Sequence, residues 1–138
     1  MTIQNPCQYR EAGARRLRPW LVELVASLVD AGPSFVVRFV SDREMRQLNR
    51  LYRNKDHTTD VLSFPGEESP EGDHVGDVVI SVPTARAQAH RAGHGIETEL
   101  KILMLHGLLH CLGHDHETDG GEMEALERDL RRKWIVHG

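Results

Sequence analysis

Three histidines near the C-terminus have the spacing of ligands to one metal ion. The segment reads His106-Gly-Leu-Leu-His110-Cys-Leu-Gly113-His114-Asp115-His116. Residues four apart on a helix share a face, so His106 and His110 can present their imidazoles to one ion at roughly 2.0–2.1 Å. Gly113 predicts the end of that helix, after which the chain can turn so that His116 supplies a third ligand. Three protein ligands with one open position are typical of a catalytic zinc site.

The third ligand and the metal itself have alternatives. His114 is the competing third ligand, although it lies one residue past Gly113 and has less chain with which to turn back. Asp115 either orients a ligand histidine through a hydrogen bond or is a solvated loop carboxylate. Nickel or cobalt can replace zinc at three histidines, because occupancy follows metal availability as well as ligand type.

The residue after the first histidine argues against a peptidase. The spacing HxxxHxxGxxH is that of the metzincin metallopeptidases, which need glutamate directly after the first histidine as general base. Gly107 stands at that position in this chain. The sequence therefore favours a different reaction at a similar metal site.

The pattern of apolar residues predicts an α+β domain around this segment. Strands are predicted at residues 2–7, 34–40, 61–64 and 75–81, the last two as a hairpin. Helices are predicted at residues 19–28, 41–53, 83–92, 96–112 and 119–134. We expect a single domain over residues 1–138, with one small mixed sheet of three to four strands packed with about five helices. The metal site would lie at the end of a central helix.

The composition favours a cytoplasmic protein. Apolar residues make up 39% of the chain and charged residues 28%. No apolar run reaches the roughly 18 residues of a membrane span, and residues 1–10 lack the apolar region of a secretory signal. Cys7 and Cys111 are far apart, which does not suggest a disulfide framework and suits a reducing compartment. We therefore expect no membrane partner.

Four arginines on the predicted helix 41–53 offer a track for a phosphate backbone. At 100° per residue they fall within one stripe of about 80°, and they are Arg43, Arg46, Arg50 and Arg53. The opposite, core-facing side is predicted to carry Met45, Leu48 and Tyr52. The alternative is that the arginines form a solvated surface of the helix. Their positive charge would then be balanced by residues 67–138, which contain fourteen acidic and seven basic residues. With 5% aromatic residues, recognition of any nucleic acid would rest on backbone contacts more than on base stacking.

Four segments together resemble the YbeY family of bacterial endoribonucleases and rRNA maturation factors. They are the histidine segment 106–116, residues 48–65 (LNxxYRxKD followed by TDVLSFP), residues 76–80 (GDVVI) and residues 122–127 (EMxALE). They occur in the family's order. Two positions depart from its pattern: Thr58 stands where proline is common, and His114 where tyrosine is common.

The resemblance implies an activity and a set of site residues. His106, His110 and His116 would be the metal ligands, Arg53 a functional arginine beside the metal, and Asp77 a polar residue of the site. The predicted catalytic residues are therefore Arg53, Asp77 and His106. The implied protein is a zinc-dependent endoribonuclease specific for single-stranded RNA. It would act in 16S rRNA 3′-end maturation and ribosome quality control, with rRNA and the small ribosomal subunit as partners and no role on DNA.

Two other functions remain as alternatives. One is a metallopeptidase, and the other is a ribosome-assembly factor whose metal is structural. Within the nuclease hypothesis, Arg53 would stabilise the charge that develops on the phosphate. The proton acceptor is Asp115 or His114, or else no side chain serves as the base. The attacking group is either water or the ribose 2′-hydroxyl.

Overall fold

Four strands form one mixed sheet in the computed structural model of this chain, which describes residues 1–29, 34–66, 74–113 and 120–135. They are β1 (Thr2–Gln4), β2 (Ser34–Val40), β3 (Val61–Pro65) and β4 (His74–Ser81). Their spatial order is β1-β2-β4-β3. Parallel pairing joins β1 to β2 and β2 to β4, whereas β3 pairs antiparallel with β4. The predicted mixed sheet is confirmed, and β3 is one of its edge strands.

Five α-helices accompany this sheet in the described part of the chain, and the last of them packs on the fourth helix. They are α1 (Ala14–Leu28), α2 (Asp42–Arg53), α3 (Val82–Ala92), α4 (Ile96–Cys111) and α5 (Glu122–Trp134), and a short 3-10 helix (Arg10–Ala12) precedes α1. Strands and helices in this arrangement confirm the predicted α+β class. Within the described ranges, no helix has the length and apolar character needed to cross a membrane.

The helix α4 is the central helix of the core. It packs against β3, β4, α3 and α5, and from Leu100 to Leu109 nearly every side chain is buried. A helix that is apolar all round is typical of a core position. Gly107 faces β4 so closely that a Cβ atom there would lie 2.7 Å from both γ-carbons of Val78. The missing side chain therefore allows α4 to approach the sheet.

The helix α2 covers part of the opposite face of the sheet. The apolar cluster beneath it consists of Val40, Met45, Leu62 and Val79, with Leu48 and Phe64 packed at its margin. Ser41 caps the first turn, because its hydroxyl accepts a hydrogen bond from the backbone N–H of Glu44 at 3.2 Å. Asn54 ends the helix in the left-handed conformation, with φ of 55°. Both ends of α2 thus agree with the sequence prediction.

Tyr52 does not face the core, contrary to the prediction from helical periodicity. Its side chain is 62% exposed. The ring contacts Phe64 on β3, and β3 is an edge strand, so the described sheet offers no further strand to cover the ring. Periodicity identifies a face of a helix, whereas the position of the sheet edge decides how much of that face is buried.

Three predicted boundaries differ from the structure by more than one residue. The helix α1 begins at Ala14 and contains Pro19, because burial of Leu17 extends the helix upstream of the proline. The strand β1 ends at Gln4, where Asn5 and Tyr9 exchange two hydrogen bonds of 3.0 Å and form a turn. The N-cap of α5 is Gly121, whereas the predicted cap, Asp119, lies outside the described residues.

Candidate active site

One cleft contains three of the predicted site residues. It has a volume of about 550 Å³ and is lined by Tyr52, Arg53, Thr59, Asp60, Val61, Leu62, Ser63, Phe64, His106 and His110. Arg53 comes from the last turn of α2, and the two histidines come from the C-terminal half of α4. The edge strand β3 lies between them. The cleft therefore joins helices from the two faces of the sheet across its edge.

The two histidines point their ring nitrogens at the same place. The Nε2 atoms of His106 and His110 are 3.1 Å apart, and the ring centroids are 4.6 Å apart. Two imidazoles that bind one tetrahedral ion at 2.0–2.1 Å would hold these atoms about 3.3 Å apart. The donor type and its spacing therefore fit a shared metal ion.

Glu127 orients His106 from the side away from the cleft. Its carboxylate oxygen Oε1 lies 2.8 Å from Nδ1 of His106, and the residue is only 6% exposed. A carboxylate can only accept, so Nδ1 carries the proton and Nε2 presents its lone pair to the cleft. This carboxylate–histidine pair is typical of histidines that bind metals.

The role of Glu127 was missed in the sequence. Glu127 stands out in the sequence only as part of residues 122–127, one of the segments that resemble the family. A signal was present, because Met123, Glu127, Leu130 and Trp134 share one stripe of α5. A carboxylate within an otherwise apolar stripe must be buried, and a buried carboxylate needs a charged or hydrogen-bonding partner. That reasoning identifies a paired residue, although only the fold shows that the partner is His106.

The third metal ligand remains a prediction. His116 lies outside the described residues, as do His114 and Asp115. Within residues 1–29, 34–66, 74–113 and 120–135, no group of three histidine, cysteine or acidic side chains is arranged to hold an ion. Burial, and then the nearby carboxylate of Asp77, raise the pKa of Cys111 to about 11. Its thiol is therefore protonated near neutral pH.

The loop of residues 54–60 forms one wall of the cleft and is tied to α2. The side-chain amide of the buried Asn49 donates to the carbonyl of His57 at 2.8 Å. The guanidinium of Arg46 bonds both carboxylate oxygens of Asp56, at 3.0 and 3.2 Å. These contacts fix the chain between Arg53 and β3, so the wall is positioned by the same helix that carries Arg53.

Asp60 lines the cleft, but its carboxylate has structural partners. Oδ1 accepts from the backbone N–H of Val61 at 2.8 Å and from the hydroxyl of Thr59 at 3.4 Å. Oδ2 accepts from the side-chain amide of Gln88 at 3.3 Å. We therefore interpret Asp60 as a residue that holds the end of the loop against α3.

Asp77 lies outside the lining of this cleft. It sits on β4 opposite Phe64, and its Oδ2 atom is 3.0 Å from Nε2 of His74. Side chains alternate along a strand, so Asp77 shares the face of Val79, which packs beneath α2, rather than the face that meets α4. A catalytic role for Asp77 stays a prediction.

The four predicted arginines are all exposed along α2. A second, smaller cleft of about 280 Å³ is lined by Arg43, Arg46, Gln47, Arg50 and Asp56. Arg53 continues the row into the first cleft. The row thus runs along the helix towards the cleft that contains the two histidines, and its role in binding phosphates stays a prediction.

The chain belongs to the YbeY endoribonuclease family. The model of the family described as Endoribonuclease YbeY matches residues 3–135. The protein of that name from Solibacter usitatus is 48% identical over 128 residues, which cover 91% of this chain and 84% of the relative. The one from Aquifex aeolicus is 43% identical over 122 residues, covering 88% and 81%. These findings confirm the family that the sequence motifs indicated.

A solved structure shares the fold. The solution structure of TM1509 from Thermotoga maritima superposes with a TM-score of 0.65 at 26% identity, and the match covers 97% of this chain and 89% of that one. The four-stranded mixed sheet with its helices is therefore a known architecture.

Proposed function

We propose that this chain is a zinc-dependent endoribonuclease that cuts single-stranded RNA in 16S rRNA 3′-end maturation and ribosome quality control. The observation that carries the proposal is the 3.1 Å spacing of the His106 and His110 Nε2 atoms, in a cleft that also holds Arg53. RNA as substrate is supported by relatives named Endoribonuclease YbeY, such as the one that is 48% identical to this chain. The proposed partners are rRNA and the small ribosomal subunit in the cytoplasm, with no DNA or membrane.

His106 and His110 would hold the metal, with His116 as the proposed third ligand. Zinc suits imidazole ligands, and nickel or cobalt are possible substitutes. When bound, zinc supplies Lewis acidity and lowers the pKa of a coordinated water towards roughly 7. Glu127 keeps the proton of His106 on Nδ1, so that Nε2 remains the ligand atom.

Arg53 would bind the phosphate that is cut. Arg53 lines the same cleft as the two histidines. Phosphodiester cleavage adds negative charge to the phosphate oxygens as phosphorus becomes five-coordinate, and a fixed cation stabilises that charge. Arginine also matches two phosphate oxygens with two N–H donors. The exposed row of arginines would bind phosphates further along the strand.

Gly107 also argues against the peptidase alternative. In a metzincin the general base would occupy this position. Here a Cβ would lie 2.7 Å from the γ-carbons of Val78 and 3.2 Å from Oγ of Ser63. The position points into the packed contact between α4 and β4, so a glutamate cannot enter without moving the helix. The open cleft beside the histidines likewise favours a catalytic metal over the structural metal of an assembly factor.

The test is cleavage by zinc-loaded protein of single-stranded RNA carrying the 3′ end of 16S precursor RNA. We expect the single strand to be cut, and the matching duplex and single-stranded DNA to be spared. Arg53→Ala should lower kcat about 10²- to 10³-fold. Arg91→Ala changes an exposed arginine at the end of α3 and serves as the matched control.

Other outcomes identify the alternatives. Casein hydrolysis by the same preparation would indicate a peptidase. Tight binding to the small subunit with no cleavage of any RNA would indicate an assembly factor. A 2′,3′-cyclic phosphate on the product would show that the ribose 2′-hydroxyl attacks, whereas its absence would show attack by water.

A further inference from the structure

Tyr52 exposes an aromatic ring inside the candidate active site. Its side chain is 62% exposed, and it lines the cleft together with Arg53, His106 and His110. Leaving a large ring in water forfeits the free energy that its burial would give. An exposed aromatic ring beside an arginine and two histidines therefore suggests a ligand that has a flat apolar face as well as polar groups.

The ring of Tyr52 is held from one side. Its centroid lies 5.2 Å from that of Phe64, with an interplanar angle of 71°, which is an edge-to-face contact. Phe64 is itself anchored at the margin of the apolar cluster beneath α2. The contact restricts the orientation of the Tyr52 ring and still leaves most of the ring accessible. A restricted, accessible ring can bind a ligand with little further loss of conformational entropy.

We infer that Tyr52 is a base-binding residue, on which a nucleobase next to the cleaved phosphate stacks. The inference rests on the proposed endoribonuclease function and specifies a subsite of it. Tyr52 and Arg53 both come from the last turn of α2 and both line the cleft, so the aromatic ring and the proposed phosphate-binding arginine share one site. A base within a duplex is covered by its stacked neighbours, whereas an unpaired base can turn its face to the ring. Tyr52 would therefore contribute to the preference for single strands.

A structural role for Tyr52 makes a different prediction. A side chain that only shields the apolar cluster needs apolar volume, so leucine would replace it without loss of RNA binding. Stacking needs a planar ring, so phenylalanine and tryptophan would replace it and leucine would not.

The test measures binding of the zinc-loaded full chain to a single-stranded oligonucleotide of 2′-O-methyl RNA, confirmed intact on a gel, by fluorescence anisotropy. In a series of oligonucleotides, one base at a time is removed to leave an abasic site. In wild type, we expect removal of one particular base to weaken binding roughly 5- to 150-fold. Tyr52→Leu should weaken binding of the complete oligonucleotide by a similar factor. Because the stacking partner is already gone, removal of that base should not weaken binding to this variant any further.

The controls separate stacking from folding. Tyr52→Phe should bind like wild type, and so should Leu51→Ala, which shortens the neighbouring side chain that is 73% exposed. If circular dichroism shows that Tyr52→Leu is unfolded, Tyr52→Trp decides instead. Its added tryptophan fluorescence should be quenched by the complete oligonucleotide and not by the abasic one.

Each result bears on one of the two proposals. A Tyr52→Leu variant that binds like wild type, or an abasic penalty that persists in that variant, would overturn the stacking role alone. Failure of the wild type to bind single-stranded RNA would overturn the proposed function, and the base subsite with it.

Discussion

The imidazole of His106 depends on a buried carboxylate on another helix. Glu127 is 6% exposed and lies 2.8 Å from the Nδ1 atom of the ring. Arg131 approaches the same carboxylate oxygen at 3.7 Å. A buried carboxylate is unfavourable unless it is paired, so the pair with His106 both stabilises Glu127 and fixes the ring. At this scale, the metal affinity of the site should depend on a residue that does not touch the metal.

Glu127→Gln should lower the zinc affinity of the folded protein about 10- to 100-fold. The amide keeps nearly the same shape but loses the charge that favours the Nδ1–H tautomer and the basicity of Nε2. Competition with a chromophoric chelator measures the effect. Glu124→Gln removes an exposed carboxylate from the same helix and should leave the affinity unchanged. Equal affinities for the two variants would show that Glu127 does not act on the metal site.

At the scale of elements, the contact between α4 and β4 sets where the histidines lie. A Cβ at Gly107 would be 2.7 Å from a valine, and valine is stiff at χ1 because of its branched Cβ. The residue lies next to His106 on the same helix. Any shift of α4 away from the sheet would therefore move the two Nε2 atoms relative to Arg53.

Gly107→Ala should destabilise the protein and reduce its activity. Overpacking costs roughly 1–3 kcal/mol, which outweighs the gain of up to about 1 kcal/mol that alanine brings to a helix interior. Urea unfolding measures the first effect, and kcat on single-stranded RNA measures the second. A variant more stable than wild type would mean that α4 and β4 are not in close contact at this residue.

The arginine row on α2 should act through charge rather than through specific geometry. Arg43→Gln and Arg50→Gln should each weaken RNA binding and reduce the slope of log affinity against log salt by about 0.7. Titrations at several salt concentrations measure the slope. Arg132→Gln, an exposed arginine on α5, should leave the slope as it is. If the slope of log affinity against log salt does not change in the α2 variants, the arginine row faces solvent and does not bind RNA.

At the scale of the whole molecule, Asp42 connects three parts of the fold. Its carboxylate on the first turn of α2 accepts hydrogen bonds from Ser81 and Thr84, where α3 begins, and from Thr58 in the cleft loop. Burial raises the pKa of Asp42, but these hydrogen bonds together outweigh it and hold the pKa below its usual value. A carboxylate with a lowered pKa stabilises the fold above its unfolded pKa of about 3.9, and this stabilisation is lost as the pH falls through the folded value.

Asp42→Asn should therefore destabilise the protein by about 1–2 kcal/mol at neutral pH, because the neutral amide accepts weaker hydrogen bonds. The difference from wild type should shrink as the pH falls below about 4, because Asp42 of the unfolded chain takes up its proton there, whereas folded Asp42 does so only at a lower pH. Urea unfolding at pH 7 and pH 3 measures both values. If the stability difference between Asp42→Asn and wild type is the same at pH 7 and pH 3, the ionised carboxylate is not its cause.

The local sequence pattern predicted features that depend on neighbouring residues, and it did not predict those that depend on how distant segments pack. The spacing of His106 and His110 and the cap at Ser41 depend on neighbouring residues, and the structure agrees with both. The pairing of His106 with Glu127 joins residues 21 apart in sequence, and helical periodicity cannot identify such a partner. The prediction that Tyr52 faces the core was wrong for a related reason, because the exposure of this residue depends on where the sheet ends.

The central claim is that a metal held by the two histidines of α4 is required to cut RNA. The most direct measurement is bound metal and cleavage of single-stranded rRNA fragments, in one preparation each of wild type and His110→Ala. We predict one metal ion per chain and cleavage in wild type, and the loss of both in a variant that circular dichroism shows to be folded. Wild type without metal, or a variant that cuts as fast as wild type, would contradict the account.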